Sequence, residues 1–165
     1  MVSRLTREIA FYRKYHRHPV NVGLHIVFIP TILATSIYGL SAVRYNGSEY
    51  LTLGMLLSLY YLYFYARLDG LFGTIVGSCV VAEALYFGKQ TAVNPRYGLS
   101  WAIWATGWIA QFIGHGAFEG KAPALFDNLQ QALLLAPFFA VLEILSFVGV
   151  KHAKEELQKV DLTDK

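Results

Sequence analysis

Three histidines and one asparagine lie close together near the N-terminus of this chain of 165 residues. His16, His18 and His25 fall within ten residues of one another, and Asn21 lies between them. If a helix begins near residue 18, then His18, Asn21 and His25 share one face, because spacings of three and four bring side chains together on a helix. Neutral imidazole is the commonest metal ligand in proteins. The pattern indicates a metal site, and histidines solvated by lipid head groups are the alternative.

A second group of residues capable of chemistry surrounds His115. Gly114 and Gly116 flank this histidine, so that a ligand or another backbone could approach closely. Glu119 follows His115 by four residues, which is about one turn if the helix persists. Two or three histidines with one carboxylate and open positions suit non-haem iron(II) and dioxygen. Glu119 is therefore a candidate ligand, and an ion pair with Lys121 or with an N-terminal arginine is the alternative.

The histidines are carried by long apolar segments. Apolar residues make up 55% of the chain and charged residues 15%, whereas a soluble domain carries roughly 25% charged residues. A helix of about 20 apolar residues can cross the hydrocarbon of a bilayer. Segments that are uncharged, or broken only by one carboxylate, run between Arg17 and Arg44, between Glu49 and Arg67, over 70–88, from Tyr97 to Phe118 and over 128–150. We therefore predict an all-α fold, a polytopic membrane helical bundle of four to six transmembrane or re-entrant helices that forms one integral membrane domain over residues 1–165.

Both ends of the chain are polar and rich in basic residues. Leu5, Ile9 and Tyr12 recur at helical spacing, which predicts a short amphipathic helix on the membrane surface within residues 1–17. Residues 151–165 are expected to form a polar C-terminal tail. The net charge of +3 is modest, and a nucleic-acid-binding module would carry a basic stripe. Membrane lipids are therefore the expected partners, and nucleic acid is not.

Prolines and glycines mark expected features of the helices. Pro19 suits the first position of a helix, Pro30 should kink that helix, and Pro137 should bend or break the last apolar segment. Gly73 and Gly77 have the spacing that lets helices approach closely. Packing within the chain is the favoured interpretation of this pair, and an oligomer formed through the Gly73/Gly77 face is the alternative.

Alternation across a membrane should bring the two histidine groups together. If the basic N-terminus is cytosolic, the first apolar segment leaves, the second returns to a tight connection at 67–70, the third leaves and the fourth returns. His115 then lies on the same face as His16 and His25, and we predict a metal site on the cytosolic side. A complete fifth crossing would put the basic C-terminal segment outside, so one segment is expected not to cross fully.

Both histidine groups carry a resemblance to a known family. The opening motif of a fungal and bacterial membrane family, named for metabolism of phytosphingosine to odd-numbered fatty acids, resembles the run Tyr12-x-x-x-His16-x-x-Pro19-x-Asn21-x-x-x-His25-x-x-x-Ile29-Pro30. A second motif of the same family is similar to Trp108-x-x-Gln111-x-x-x-His115-x-x-Phe118-Glu119-x-x-x-Pro123-Ala124-Leu125. With the apolar segments between them, the two motifs cover nearly the whole chain.

The resemblance implies an iron(II)-dependent dioxygenase of the endoplasmic reticulum membrane. Such an enzyme shortens 2-hydroxy long-chain fatty acids by one carbon during the breakdown of phytosphingosine, with one Fe(II) per chain and dioxygen as co-substrate. The family's histidines fall at His16, His25 and His115. His18 stands where many relatives have asparagine or another polar residue, so it is a less secure ligand.

Other residues can be given roles in binding the substrate. Arg17 or Lys121 could neutralise its carboxylate, and Asn21 or Gln111 could orient a histidine or the substrate hydroxyl. Two other functions remain open. One is a non-enzymatic lipid-binding or scaffold membrane protein. The other is a zinc-dependent membrane hydrolase, because histidines alone do not distinguish zinc from iron.

Overall fold

The structure is a computed structural model that describes residues 3–120 and 131–163. Within these residues the chain is helical, as predicted, and two π-helical turns, Gly114–Glu119 and Gln131–Leu135, accompany the α-helices. The α-helices are α1 (Arg4–Tyr15), α2 (Pro19–Leu40), α3 (Leu53–Val93), α4 (Tyr97–Ile113), α5 (Ala136–Phe147) and α6 (Lys151–Thr163). Two compact units are formed, one by Met1–Pro30 with Ile109–Lys165 and the other by Thr31–Trp108. The single domain over 1–165 stays a prediction.

Two of the described helices are long and apolar enough to cross a membrane, α2 and α3. A third crossing is reached if α5, with its preceding turn, and α6 count as one span bent by 113°. The α4 helix has 17 residues, just short of the roughly 20 that span the hydrocarbon. The helical membrane character is thus supported, whereas the expected four to six crossings are not confirmed.

Large apolar side chains on these helices point away from the protein. Leu71, Ile75, Tyr86 and Trp101 are all exposed. In a bilayer, exposed apolar side chains of this kind would contact lipid tails. The exposed side chains therefore fit a membrane environment for the second unit.

The α3 helix is a hairpin rather than one continuous rod. Asp69 and Gly70 have non-helical dihedral angles, and Gly70 has φ of +46°, a conformation that glycine adopts readily. Beyond this turn the chain folds back on itself. Gly73 lies so close to Tyr65 that a Cβ added at Gly73 would overlap the carbonyl oxygen of Tyr65. The tight connection expected at 67–70 is therefore confirmed. Packing within the chain, the favoured interpretation of Gly73 and Gly77, is confirmed as well, and the oligomer stays a prediction.

The amphipathic α1 helix belongs to the first unit and is capped by Ser3, whose Oγ accepts the backbone N–H of Thr6 at 3.0 Å. Its apolar residues Leu5, Ile9 and Tyr12 are buried, and α6 packs against α1. The apolar face thus contacts protein, and the location of α1 on a membrane surface stays a prediction.

The segment after residue 150 forms a helix that packs on its neighbours. Ala153, Leu157 and Val160 of α6 are buried, each at most 5% exposed, and α6 contacts both α1 and α5. Their spacing of four and three puts them on one face. Pro137 lies in the first turn of α5, directly after the π-helical turn Gln131–Leu135. The helix changes from π to α next to this proline, and the expected bend or break stays a prediction.

Replacing Gly73 by alanine should destabilise the α3 hairpin. The new methyl group overlaps backbone atoms of Tyr65, and overpacking of this kind costs about 1–3 kcal/mol. Gly98→Ala is the matched control, because a Cβ there meets nothing within 4 Å. Thermal unfolding of both variants in detergent checks this expectation, and equal midpoints for the two would contradict it.

Candidate metal centre

Three histidines from distant parts of the sequence meet in the first unit. His16, His25 and His115 each offer a nitrogen, and these atoms all lie within 4.8 Å of one another. The ring centroids are 4.2 Å apart for His16 and His25, and 4.9 Å for each pair that includes His115. None of the three is more than 9% exposed. The convergence expected from membrane alternation is confirmed.

His16 is held by the end of α1. It is the C-cap residue of this helix, and its Nδ1 lies 2.7 Å from the carbonyl oxygen of Tyr12. A carbonyl can only accept, so Nδ1 carries the proton and Nε2 carries a lone pair. The same contact satisfies one of the carbonyls left unpaired at a helix C-terminus. The Tyr12 ring stacks on the imidazole at 3.8 Å, and Phe139 packs against Tyr12 at 4.7 Å.

His25 has the same tautomer for the same reason. Its Nδ1 lies 2.9 Å from the carbonyl oxygen of Asn21, one turn earlier in α2, so Nδ1 donates and Nε2 is unprotonated. The Nε2 atoms of His16 and His25 are 2.9 Å apart. Two lone pairs that face one another repel, and a shared cation turns the repulsion into attraction. Metal–nitrogen bonds of about 2.0–2.1 Å at near right angles separate two nitrogens by roughly 3 Å. The pair therefore fits a common metal ion.

His115 supplies the third nitrogen from the π-helical turn Gly114–Glu119. Its Nδ1 is buried and has no hydrogen-bond partner among the described residues. Buried polar atoms are nearly always paired, so an unpaired one needs an explanation. A metal ion bound through this nitrogen would provide that explanation.

The electrostatics keep His16 neutral. Burial lowers its pKa to about 4, against the opposing effect of the hydrogen bond to Tyr12. The ring is therefore unprotonated at neutral pH, which is the form that binds metals. A bridging proton between His16 and His25 is correspondingly unfavourable at that pH.

Glu119 accepts hydrogen bonds from the segment that follows His16. Its Oε1 accepts the backbone N–H groups of Arg17 and His18, each at 2.8 Å, and Nδ2 of Asn21 at 3.1 Å. Desolvation alone would raise the pKa of this carboxyl, but the three hydrogen bonds together lower it. Glu119 is thus a charged acceptor in the described structure and lies outside the three-histidine group.

His18 also lies outside that group. Its Nδ1 accepts the backbone N–H of Val20 at 3.2 Å, and its ring packs against Phe118 with centroids 5.1 Å apart. Arg17 is exposed and meets Glu119 through its backbone. Lys121 falls outside the described residues.

Asn21 and Gln111 are buried beside the histidines, at 0% and 3% exposure. Gln111 donates Nε2 to the carbonyl oxygen of Leu24 at 3.4 Å. Within the described part of the chain, Oδ1 of Asn21 and Oε1 of Gln111 have no hydrogen-bond partner. Buried acceptors without a partner are rare, and the expected contact of these two side chains with substrate stays a prediction.

Sequence reasoning missed the supporting role of Tyr12. The residue was recognised as part of a helix face and of a motif, but its stacking on His16 was not predicted. The spacing of four between Tyr12 and His16 was the available signal, because such a pair shares one face of a helix. Phe139 gave no such signal, since its contact with Tyr12 depends on tertiary packing.

Three neutral imidazoles can hold a divalent ion and leave further positions for water or substrate. The donor set fits iron(II) and zinc alike, because imidazole binds both. The geometry is therefore compatible with a metal centre and does not select the metal.

Replacing Gly114 by alanine should weaken metal binding at least about tenfold, as changes next to metal ligands commonly do. A Cβ at Gly114 would overlap Oδ1 of Asn21 and lie 3.2 Å from Leu24 Cδ1. Gly116→Ala is the control, since its Cβ meets nothing within 4 Å. Titration of the apoprotein with cobalt(II) measures both affinities. Equal cobalt(II) affinities of Gly114→Ala and Gly116→Ala would mean that the close approach of Gly114 to Asn21 does not contribute to metal binding.

Comparison with known proteins finds similarity over most of the chain. Residues 2–148 match the family described as Mpo1-like, 2-hydroxy-palmitic acid dioxygenase Mpo1-like. The chain is 36% identical over 151 residues to the 2-hydroxy-palmitic acid dioxygenase MPO1 of Saccharomyces cerevisiae, with 88% of this chain and 82% of the yeast protein covered. No solved structure matches the chain significantly. By the extent of both matches, the chain belongs to the Mpo1-like family.

Proposed function

We propose that this protein is an iron(II)-dependent dioxygenase that cleaves the C1–C2 bond of 2-hydroxy long-chain fatty acids. The observation that carries the proposal is the contact of two unprotonated Nε2 atoms, on His16 and His25, beside the buried nitrogen of His115. The name of the yeast relative adds the substrate class and the reaction type.

The overall reaction balances with one dioxygen. A 2-hydroxy acid and dioxygen have the same atoms as a fatty acid one carbon shorter, carbon dioxide and water. In this balance C2 is oxidised from the alcohol to the acid level, C1 leaves as carbon dioxide, and dioxygen is reduced. Iron(II), when bound, supplies the Lewis acidity and the one-electron chemistry that dioxygen needs.

The chain's own residues would bind and orient the substrate. The unpaired oxygens of Asn21 and Gln111 lie on buried side chains and can accept the hydrogen of the 2-hydroxyl group. Arg17 is exposed, as suits a group at the mouth of a site, and with Lys121 it would neutralise the carboxylate. Hydrogen bonds to both ends of the head group would fix C1 and C2 near the three histidines. This orientation is the protein's main contribution.

We propose that the enzyme lies in the endoplasmic reticulum membrane with its metal centre on the cytosolic side. The histidines His16 and His25 flank the first turns of α2, one of the two helices able to span a membrane. The basic residues of α1, among them Arg13 and Lys14 in its last turn, favour the cytosolic side.

Replacement of His16, His25 or His115 by alanine should abolish shortening of 2-hydroxypalmitate, because each removes one ligand. His18→Ala is the matched control and should retain activity, since that ring lies outside the three-histidine group. The measurement is mass spectrometry of the product one carbon shorter, made with purified protein, ferrous iron and air. Wild-type turnover in any of the three variants would remove that residue from the site.

The choice of metal has a separate test. Apoprotein reloaded with iron(II) should regain activity only in the presence of oxygen, whereas zinc(II) should bind without restoring it. Activity with zinc that needs no oxygen would favour the membrane hydrolase. Protein that binds no metal at all would favour the lipid-binding or scaffold function.

A further inference from the structure

One oxygen of Glu119 accepts hydrogen bonds from three donors in a distant part of the chain. The backbone N–H groups of Arg17 and His18 and the side-chain amide of Asn21 all end on Oε1, at 2.8, 2.8 and 3.1 Å. The two backbone donors are separated from Glu119 by 102 and 101 residues. The carboxylate also lies next to the start of α2, where a negative charge is favoured by the helix dipole.

The segments that supply these donors also carry two of the three histidines. Arg17 directly follows His16, so the bond from its N–H fixes the backbone that leaves His16. Asn21 donates its side chain to Glu119 and accepts His25 Nδ1 at its own carbonyl. His115 belongs to the same π-helical turn as Glu119. One carboxylate thus connects all three segments that carry the histidines.

From this network we propose that Glu119 is a positioning residue that assembles the three-histidine site and does not itself bind the metal. The proposal deepens the proposed function and rests on its metal centre. Oε1 already accepts three hydrogen bonds, and the described group whose donor atoms lie within 4.8 Å of one another contains the three histidines and not Glu119. A glutamine side-chain oxygen can also accept hydrogen bonds from backbone N–H groups. The side-chain amide of glutamine is, however, a poor substitute for a carboxylate as a metal ligand.

A charged acceptor strengthens this network. Hydrogen bonds to an ionised carboxylate are roughly twice as strong as bonds between neutral groups, and the lowered pKa keeps Glu119 ionised at neutral pH. The backbone N–H groups of residues 17 and 18, in the loop between α1 and α2, donate to Glu119 and not to a helical carbonyl. The arrangement of this loop beside His16 therefore depends on an acceptor supplied by another segment.

The test compares Glu119→Ala and Glu119→Gln in the full-length protein. Glu155→Gln is the control, because Glu155 is exposed and pairs with Lys151 on the surface of α6. Cobalt(II) is the probe: titration gives its affinity, and the visible spectrum at saturation reports the ligands. Amide hydrogen exchange of the apoprotein at residues 17 and 18 reports the loop without any metal.

We expect Glu119→Ala to weaken cobalt binding about 10- to 100-fold, the usual effect of losing a residue that orients ligands. Exchange at residues 17 and 18 should become faster. Glu119→Gln should recover most of both properties, and every saturated protein should have the wild-type spectrum. If Glu119→Ala does not fold, the spectrum and exchange of Glu119→Gln decide the question.

Two results would overturn the proposal. Wild-type cobalt affinity and exchange in Glu119→Ala would mean that Glu119 positions nothing. If only Glu119→Gln folds, fast exchange at residues 17 and 18 together with wild-type cobalt affinity would mean the same. An altered saturated spectrum in Glu119→Gln would mean that Glu119 is a ligand. Failure of the proposed function looks different: the cobalt and exchange results hold, but iron-loaded wild-type protein does not shorten 2-hydroxypalmitate.

Discussion

Two unprotonated imidazole nitrogens that face one another at 2.9 Å are the constraint on which the site depends. The contact arises because His16 and His25 each donate Nδ1–H to a carbonyl oxygen one turn earlier in the chain. Neither imidazole ring can flip without losing its hydrogen bond from Nδ1–H, and in a buried site that bond is not replaced by water. The fold thus commits both lone pairs to one point, and a cation there converts their repulsion into binding.

The surrounding structure keeps this arrangement in place. Tyr12 stacks on His16, and Phe139 of α5 packs behind Tyr12. The α6 helix packs on α1 and α5, so the helix that ends at His16 has a firm apolar support. Gly114 lets the turn that carries His115 come close to Asn21. Packing and backbone geometry therefore preorganise the ligands, as a metal centre requires.

Much of the site could be predicted from the sequence, because its residue types and spacings are local. The helix start at Pro19, the tight connection at 67–70 and the meeting of His115 with His16 and His25 were all expected and are confirmed. The number of membrane crossings was harder to predict from the sequence. Apolar length alone does not tell a crossing helix from one that is buried in the protein, and the first half of α5 is buried.

The position of Glu119 shows a second limit of the sequence. Its spacing from His115 suggested a ligand, but its partners are backbone amides of the loop before α2. Backbone groups have no sequence signature, so only the fold reveals that they need an acceptor. The packing of α6 could, in contrast, have been predicted, because Ala153, Leu157 and Val160 have the spacing of one helix face. The polar composition of the segment made this spacing easy to overlook.

X-ray absorption at the iron edge tests the central claim most directly, because it counts imidazole ligands around the bound ion. Iron(II)-loaded wild-type protein should show scattering from three imidazoles, and His115→Ala should show scattering from two. Spectra without imidazole scattering, or unchanged in His115→Ala, would contradict a centre built by these three histidines.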